Sequence, residues 1–187
     1  LLLSVLLFFL ASIISYYGAI RLSKPLRMLK RAADRIDEGI SLLGDTSTRG
    51  GRARWAFALA NRAMLMQMHH SRNVAAERHT RAETTDPTCD YDNVGPFSWR
   101  PFQLAFLLMT LPSVTDPDHP DHDTVDLIWF PTGGGKTEAY LGLVAYQVLL
   151  RRKEMGDAGA GTVVITRYTL RLLATQQFQR SATLICA

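Results

Sequence analysis

At 187 residues the chain is long enough for one domain or two small ones, with ample length to bury a core. A net charge of +4 and an isoelectric point near 9.3 allow a nucleic-acid or membrane-surface partner without requiring one. Cys89 and Cys186 stand far apart, with no Cys or His at zinc-finger spacing, which excludes a disulfide framework and leaves free thiols in a reducing compartment. Leu1 is not methionine and Ala187 falls inside a helical run, so the chain is expected to be a fragment.

Residues 1–20 carry no charge and are almost all apolar or small, enough for a helix to span the hydrocarbon core of a bilayer. Tyr16 and Tyr17 suit an interfacial belt, and Arg21, Lys24, Arg27, Lys30 and Arg31 come next with no acid before Asp34. That asymmetry predicts a transmembrane helix over 1–20, an inner-membrane location and a cytoplasmic remainder. A cleaved signal peptide and a buried core helix are the alternatives. The chain is expected to be cytoplasmic if residues 1–43 are not native to the remainder.

Leu22, Leu26, Leu29, Ala33, Ile36, Ile40 and Leu43 recur at alternating intervals of four and three, the seam of a coiled coil. With Pro25-Leu26, Leu29, Ala32-Ala33, Ile36 and Gly39, this segment resembles the first helix of a HAMP linker. The resemblance implies a homodimer through residues 22–43 and a signal-relaying role over 21–70. The second HAMP helix is expected over Trp55–Met68 after a loop at Gly44–Arg54, although Gly51, Arg52 and Arg54 replace the acidic pair that usually opens it. An amphipathic juxtamembrane helix is the plainer alternative.

Trp55 to about Arg72 is helical by propensity, with Phe57, Ala60, Met64 and Met68 on one face as core filler. His69 and His70 are adjacent, so on a helix they cannot share a metal as an i, i+4 pair can. Residues 71–96 turn polar and charged and are expected to be a linker. A helix is expected from Leu104 to Met109. Thr115–Thr124 is acidic and proline-broken; a solvated loop is expected there, with a metal site on His119 and His122 as the alternative.

An apolar run (Val125, Leu127, Ile128, Trp129, Phe130) has the composition of a buried strand and leads into Pro131-Thr132-Gly133-Gly134-Gly135-Lys136-Thr137, then a helix from Glu138 to about Leu150. Strand, glycine loop and helix together form the context of a phosphate-binding loop. Glycines let successive N–H groups converge on one anion, and the helix adds its positive end. Lys136 would neutralise the outer phosphates, and the Thr137 hydroxyl would hold Mg²⁺. Phe130 stands where the strict template has Gly or Ala, and a glycine-rich turn is the bland alternative. After a turn at Gly156–Gly161, the β-branched Thr162–Thr166 is expected as a second strand, completing a right-handed parallel βαβ unit with its ligand at the carboxyl ends.

Three stretches resemble motifs of superfamily 2 helicases. Thr132–Thr137 is similar to motif I. Arg100-Pro101-Phe102-Gln103 resembles the Q motif, which implies that Gln103 pairs with adenine and Phe102 packs on it. Arg167–Arg180, with Thr169, Leu173 and Gln176 or Gln177, resembles motif Ia, which implies phosphodiester contacts from Arg167, Thr169 and Arg171; an exposed helix face is the alternative for Arg171 and Arg180. Residues 129–143 with 167–173 are similar to the large helicase component of DISARM-type anti-phage systems. The resemblance implies ATP and Mg²⁺ as cofactors, single- or double-stranded DNA as the polymer, and other defence-system subunits as partners.

The expected fold is therefore α/β: an incomplete RecA-like parallel sheet over 97–187, preceded by a mostly helical region with a transmembrane helix. No Asp-Glu-x-His box comes after these motifs and no second RecA-like domain is present to supply an arginine finger, so the chain alone is expected to bind ATP weakly and hydrolyse it negligibly. Two other readings stay open: a membrane-anchored HAMP-type module joined to an unrelated P-loop segment, and a P-loop ATPase with no nucleic-acid role.

Overall fold

A computed structural model describes residues 2–80, 97–129, 133–167 and 171–186, with side chains for 23–70, 97–129, 133–167 and 175–186. Among them the chain forms α1 (Leu2–Gly44), α2 (Thr48–Thr80), α3 (Pro101–Thr115), α4 (Lys136–Met155) and α5 (Arg171–Cys186), with a 3-10 turn at Gly156–Gly159. α1 packs mainly on α3, α2 on α4, and α3 on α4, while α5 lies against α2 and α4.

The expected parallel sheet is corrected: the described residues contain helices and no strand. Residues 124–129 and 162–167 run without regular structure, and Val125, Leu127, Trp129 and Ile165 are nearly fully exposed. The composition is that of strands, but a strand is held by its ladder partner, and neither segment has one among the described residues. Phe130 and Thr132 lie outside them.

The membrane expectation is corrected as well. Among the described residues no helix is long and apolar enough to cross a membrane, which removes the support for a transmembrane helix, a membrane partner and an inner-membrane location. The described side chains of α1 belong to its charged half, and several of them pair with the segment before the glycine loop. Residues 2–20 continue α1 as helix, their side chains lying outside the described set.

Where a loop was expected over Gly44–Arg54, only residues 45–47 separate α1 from α2. The Asp45 carboxylate accepts the Ser47 N–H at 2.9 Å, and Ser47 Oγ accepts the Gly50 N–H at 3.2 Å, the geometry of a helix N-cap. A Cβ on Gly50 would stand 2.4 Å from the Asp45 carbonyl oxygen, so this tight entry needs glycine there. The glycines that look like a loop in the sequence are the first turn of α2.

The core is built from helix faces. Ala53, Ala56, Ala60 and Met64 form a buried stripe on α2 at intervals of three and four, opposite Leu141, Ala145, Tyr146 and Leu150 of α4. Leu42, Leu111 and Leu184 close it from α1, α3 and α5. Phe57 and Met68, expected on the same face as Ala60 and Met64, are only half-buried, because the contact surface is centred on the alanines. Small residues let α2 lie close to α4.

The acidic 115–124 segment is folded onto α1. The Arg35 guanidinium grips Asp126 through two nitrogens at 2.6 and 2.8 Å, its Nε lies 3.4 Å from Asp121, and Arg31 also pairs with Asp121. His119 Nδ1 accepts the Asp121 N–H at 3.0 Å, which leaves its Nε2–H to donate to Glu38 at 2.9 Å. His122 donates to the Ser113 carbonyl at 2.9 Å. These contacts occupy both histidines, and among the described residues no group of three or more His, Cys, Asp or Glu is placed to hold a metal.

Candidate nucleotide site

α4 begins at Lys136, and the residue before it, Gly135, sits in the left-handed region at φ +88°, as does Gly133 at φ +79°. Both positions favour glycine, because a side chain there would crowd its own backbone. Lys136 and Thr137 are half-buried in the first turn of α4, where helix N–H groups have no partners within the helix. That end of a helix attracts anions.

The loop is fastened to the start of α3. Pro101 opens that helix with Arg100 as its N-cap, the position before a proline favouring the extended backbone that Arg100 adopts. Gln103 Oε1 accepts the Arg100 N–H at 2.8 Å and so closes the first turn. The other end of the same amide, Nε2, donates to the Gly135 carbonyl at 2.7 Å. The Arg100 guanidinium donates to the Gly134 carbonyl at 2.8 Å. Gln103 is buried, and the Q-motif-like segment therefore touches the glycine loop directly.

Beside this junction lies a cavity of about 600 Å³, within the range of small-molecule sites. Its walls are one face of α2 (Asn61, Arg62, Met64, Leu65, Met68), the Phe97–Arg100 stretch with Gln103, and Gly133, Gly135 and Glu138 at the loop. Trp99 is fixed in its wall at two points. Its indole N–H donates to Asn61 Oδ1 at 2.5 Å, and its ring edge fills the notch left by Gly142, where a Cβ would come within 2.9 Å. Asn61 in turn donates to the Phe57 carbonyl at 2.7 Å.

Of the residues singled out by sequence, Gln103, Gly133, Gly134, Gly135, Lys136 and Thr137 meet at the loop. Phe102 is half-buried and does not line the cavity. Arg167 is exposed; Thr132 and Thr169 lie outside the described residues, as does the side chain of Arg171, which begins α5. Sequence patterns assigned no role to Arg100, Asn61, Trp99 or Glu138. The place of Arg100 just before Pro101 marks a helix cap and was the available signal. Glu138, in the first turn of α4, pairs with Arg180 and so ties α5 to the loop helix.

No family model matches the chain, and no solved structure matches it. It is 40% identical over 158 residues to the DISARM protein DrmA of Bacillus paralicheniformis. That match takes in 82% of this chain and 13% of the relative, so the chain spans about an eighth of the protein it resembles. The chain is DISARM-related.

Proposed function

We propose that residues 133–137 and the adjoining cavity bind a nucleoside triphosphate with Mg²⁺, ATP being the expected cofactor, in the nucleotide-binding part of a DNA-translocating protein of anti-phage defence. One observation carries this reading: the cavity and the glycine loop are a single site, joined by Arg100 and Gln103 on the carbonyls of Gly134 and Gly135. The phosphates would lie on the N-terminal turn of α4, with Lys136 as their cation and the Thr137 hydroxyl as the protein's ligand to Mg²⁺. The metal, when bound, would neutralise and orient the phosphates. The base would lie against Leu65, Met68, Phe97 and Trp99.

The relation to a DISARM protein supports a role as a component of an anti-phage system, working with its other subunits. DNA is the proposed polymer, with the exposed Arg167 and the start of α5 as its contact. Self-association through α1 is a further proposal, favoured by the exposure of Leu26, Leu29 and Ile40 on the heptad seam.

Nucleotide titrations of the wild type and Lys136→Ala, with and without single-stranded DNA, test the site. A hydrogen bond to a charged group contributes about 1.5–3 kcal/mol, so the variant should bind ATP about ten- to a hundredfold more weakly. Equal affinities would remove the phosphate-loop assignment.

A further inference from the structure

We infer that this site selects for the triphosphate and not for adenine, accepting ATP and GTP alike. The inference rests on the nucleotide reading above and narrows its substrate class to purine nucleoside triphosphates. Adenine carries a donor at N6 where guanine carries an acceptor at O6, so discrimination needs side-chain donors or acceptors free to face that edge.

Two side-chain amides line the cavity, and each is held at both ends by the protein. Gln103 accepts from the Arg100 N–H and donates to the Gly135 carbonyl. Asn61 accepts from the Trp99 indole and donates to the Phe57 carbonyl. Swinging either amide onto a base would open the first turn of α3 and the loop, or release Trp99. Leaving a buried polar group without its partner offsets what one new contact to a base would contribute. Among the other described polar residues of the lining, Arg100 donates to the Gly134 carbonyl and Glu138 pairs with Arg180, while Arg62 and Ser98 are exposed to solvent. Among the described residues, the surface proposed above for the base is that of Leu65, Met68, Phe97 and Trp99, which packs on either purine ring equally. Gln103 is then a positioning residue that sets Gly135 and the α3 start, whichever base is bound.

Calorimetric titration with ATP, GTP and inorganic tripolyphosphate, on the wild type and on Gln103→Ala, tests this. The wild type should bind ATP and GTP within about threefold of each other, less than the tenfold that 1.4 kcal/mol would give. Gln103→Ala should weaken ATP, GTP and tripolyphosphate by a common factor. A wild-type preference for ATP of about tenfold or more, or a variant that loses ATP while keeping GTP and tripolyphosphate, overturns the inference. If Gln103→Ala does not fold, the wild-type ratio decides alone. ATP binding that depends on Lys136 but is not matched by GTP defeats this inference and leaves the nucleotide site standing. Failure of all three ligands defeats both.

Discussion

Tyr146 is fully buried, and its phenol lies 2.6 Å from Thr115 Oγ1, which itself donates to the Leu111 carbonyl at 2.6 Å. The phenol is therefore the donor of the pair. Burial pushes its pKa up to about 12. An unfolded tyrosine ionises near 10, so between the two values the folded chain keeps a proton that the unfolded chain releases. Stability should be intact below pH 10 and fall as pH rises through that window. Urea unfolding at neutral and alkaline pH should show the loss in wild type and a smaller one in Tyr146→Phe. At neutral pH the variant should be about 1 kcal/mol less stable, since the Thr115 hydroxyl loses a buried donor. Nothing in the sequence marked this residue, because its partner lies on a turn of α3 beyond Met109, where the expected helix ended.

At the level of elements, the crossing of α1 and α3 depends on Gly39. A Cβ there would stand 1.9 Å from the Leu108 carbonyl oxygen, backbone against backbone, so even alanine must push the helices apart. Gly39→Ala should cost about 1–3 kcal/mol, the usual range for overpacking. Gly44→Ala, which meets nothing within 4 Å, should leave the unfolding midpoint nearly unchanged and serves as the control. The heptad pattern disclosed α1 to within a residue of its end. It could not disclose that Gly39 faces α3, since spacing gives a face and not its neighbour. The glycine loop and the start of α4 were legible because glycine conformation and helix polarity are local properties. The segments around Leu127 and Ile165 were misjudged for the opposite reason: β-branched composition suits a pleated, half-buried surface, and that surface must come from elsewhere.

Across the whole molecule, Arg35 joins α1 to the segment that leads into the glycine loop. Hydrogen bonding to Asp126 raises its pKa and holds it charged. For Asp121, burial acts to raise the pKa, but the hydrogen bonds from Arg31 and Thr124 and the nearby guanidinium charges hold it below its ordinary value. Its contribution is present above the ordinary value of 3.8 and is lost as pH falls through the lower folded one. Arg35→Ala would leave Asp126 without its guanidinium and Asp121 with that of Arg31 alone, and should cost about 3 kcal/mol, as removal of one partner from a largely buried pair does. Thermal unfolding at pH 6 and pH 3 should bring wild type and variant closer together at the acid end. A constant difference would mean that the pairs carry no net charge energy. These contacts were hidden in the sequence because acids at 121 and 126 meet arginines some 90 positions earlier.

One side chain, Gln103, closes the first turn of α3 with one end and holds Gly135 with the other. The two are coupled through this amide, and the Arg100 guanidinium on the Gly134 carbonyl joins them a second time. The loop and the start of α3 should therefore move as one body, whatever freedom the glycine backbone conformations suggest.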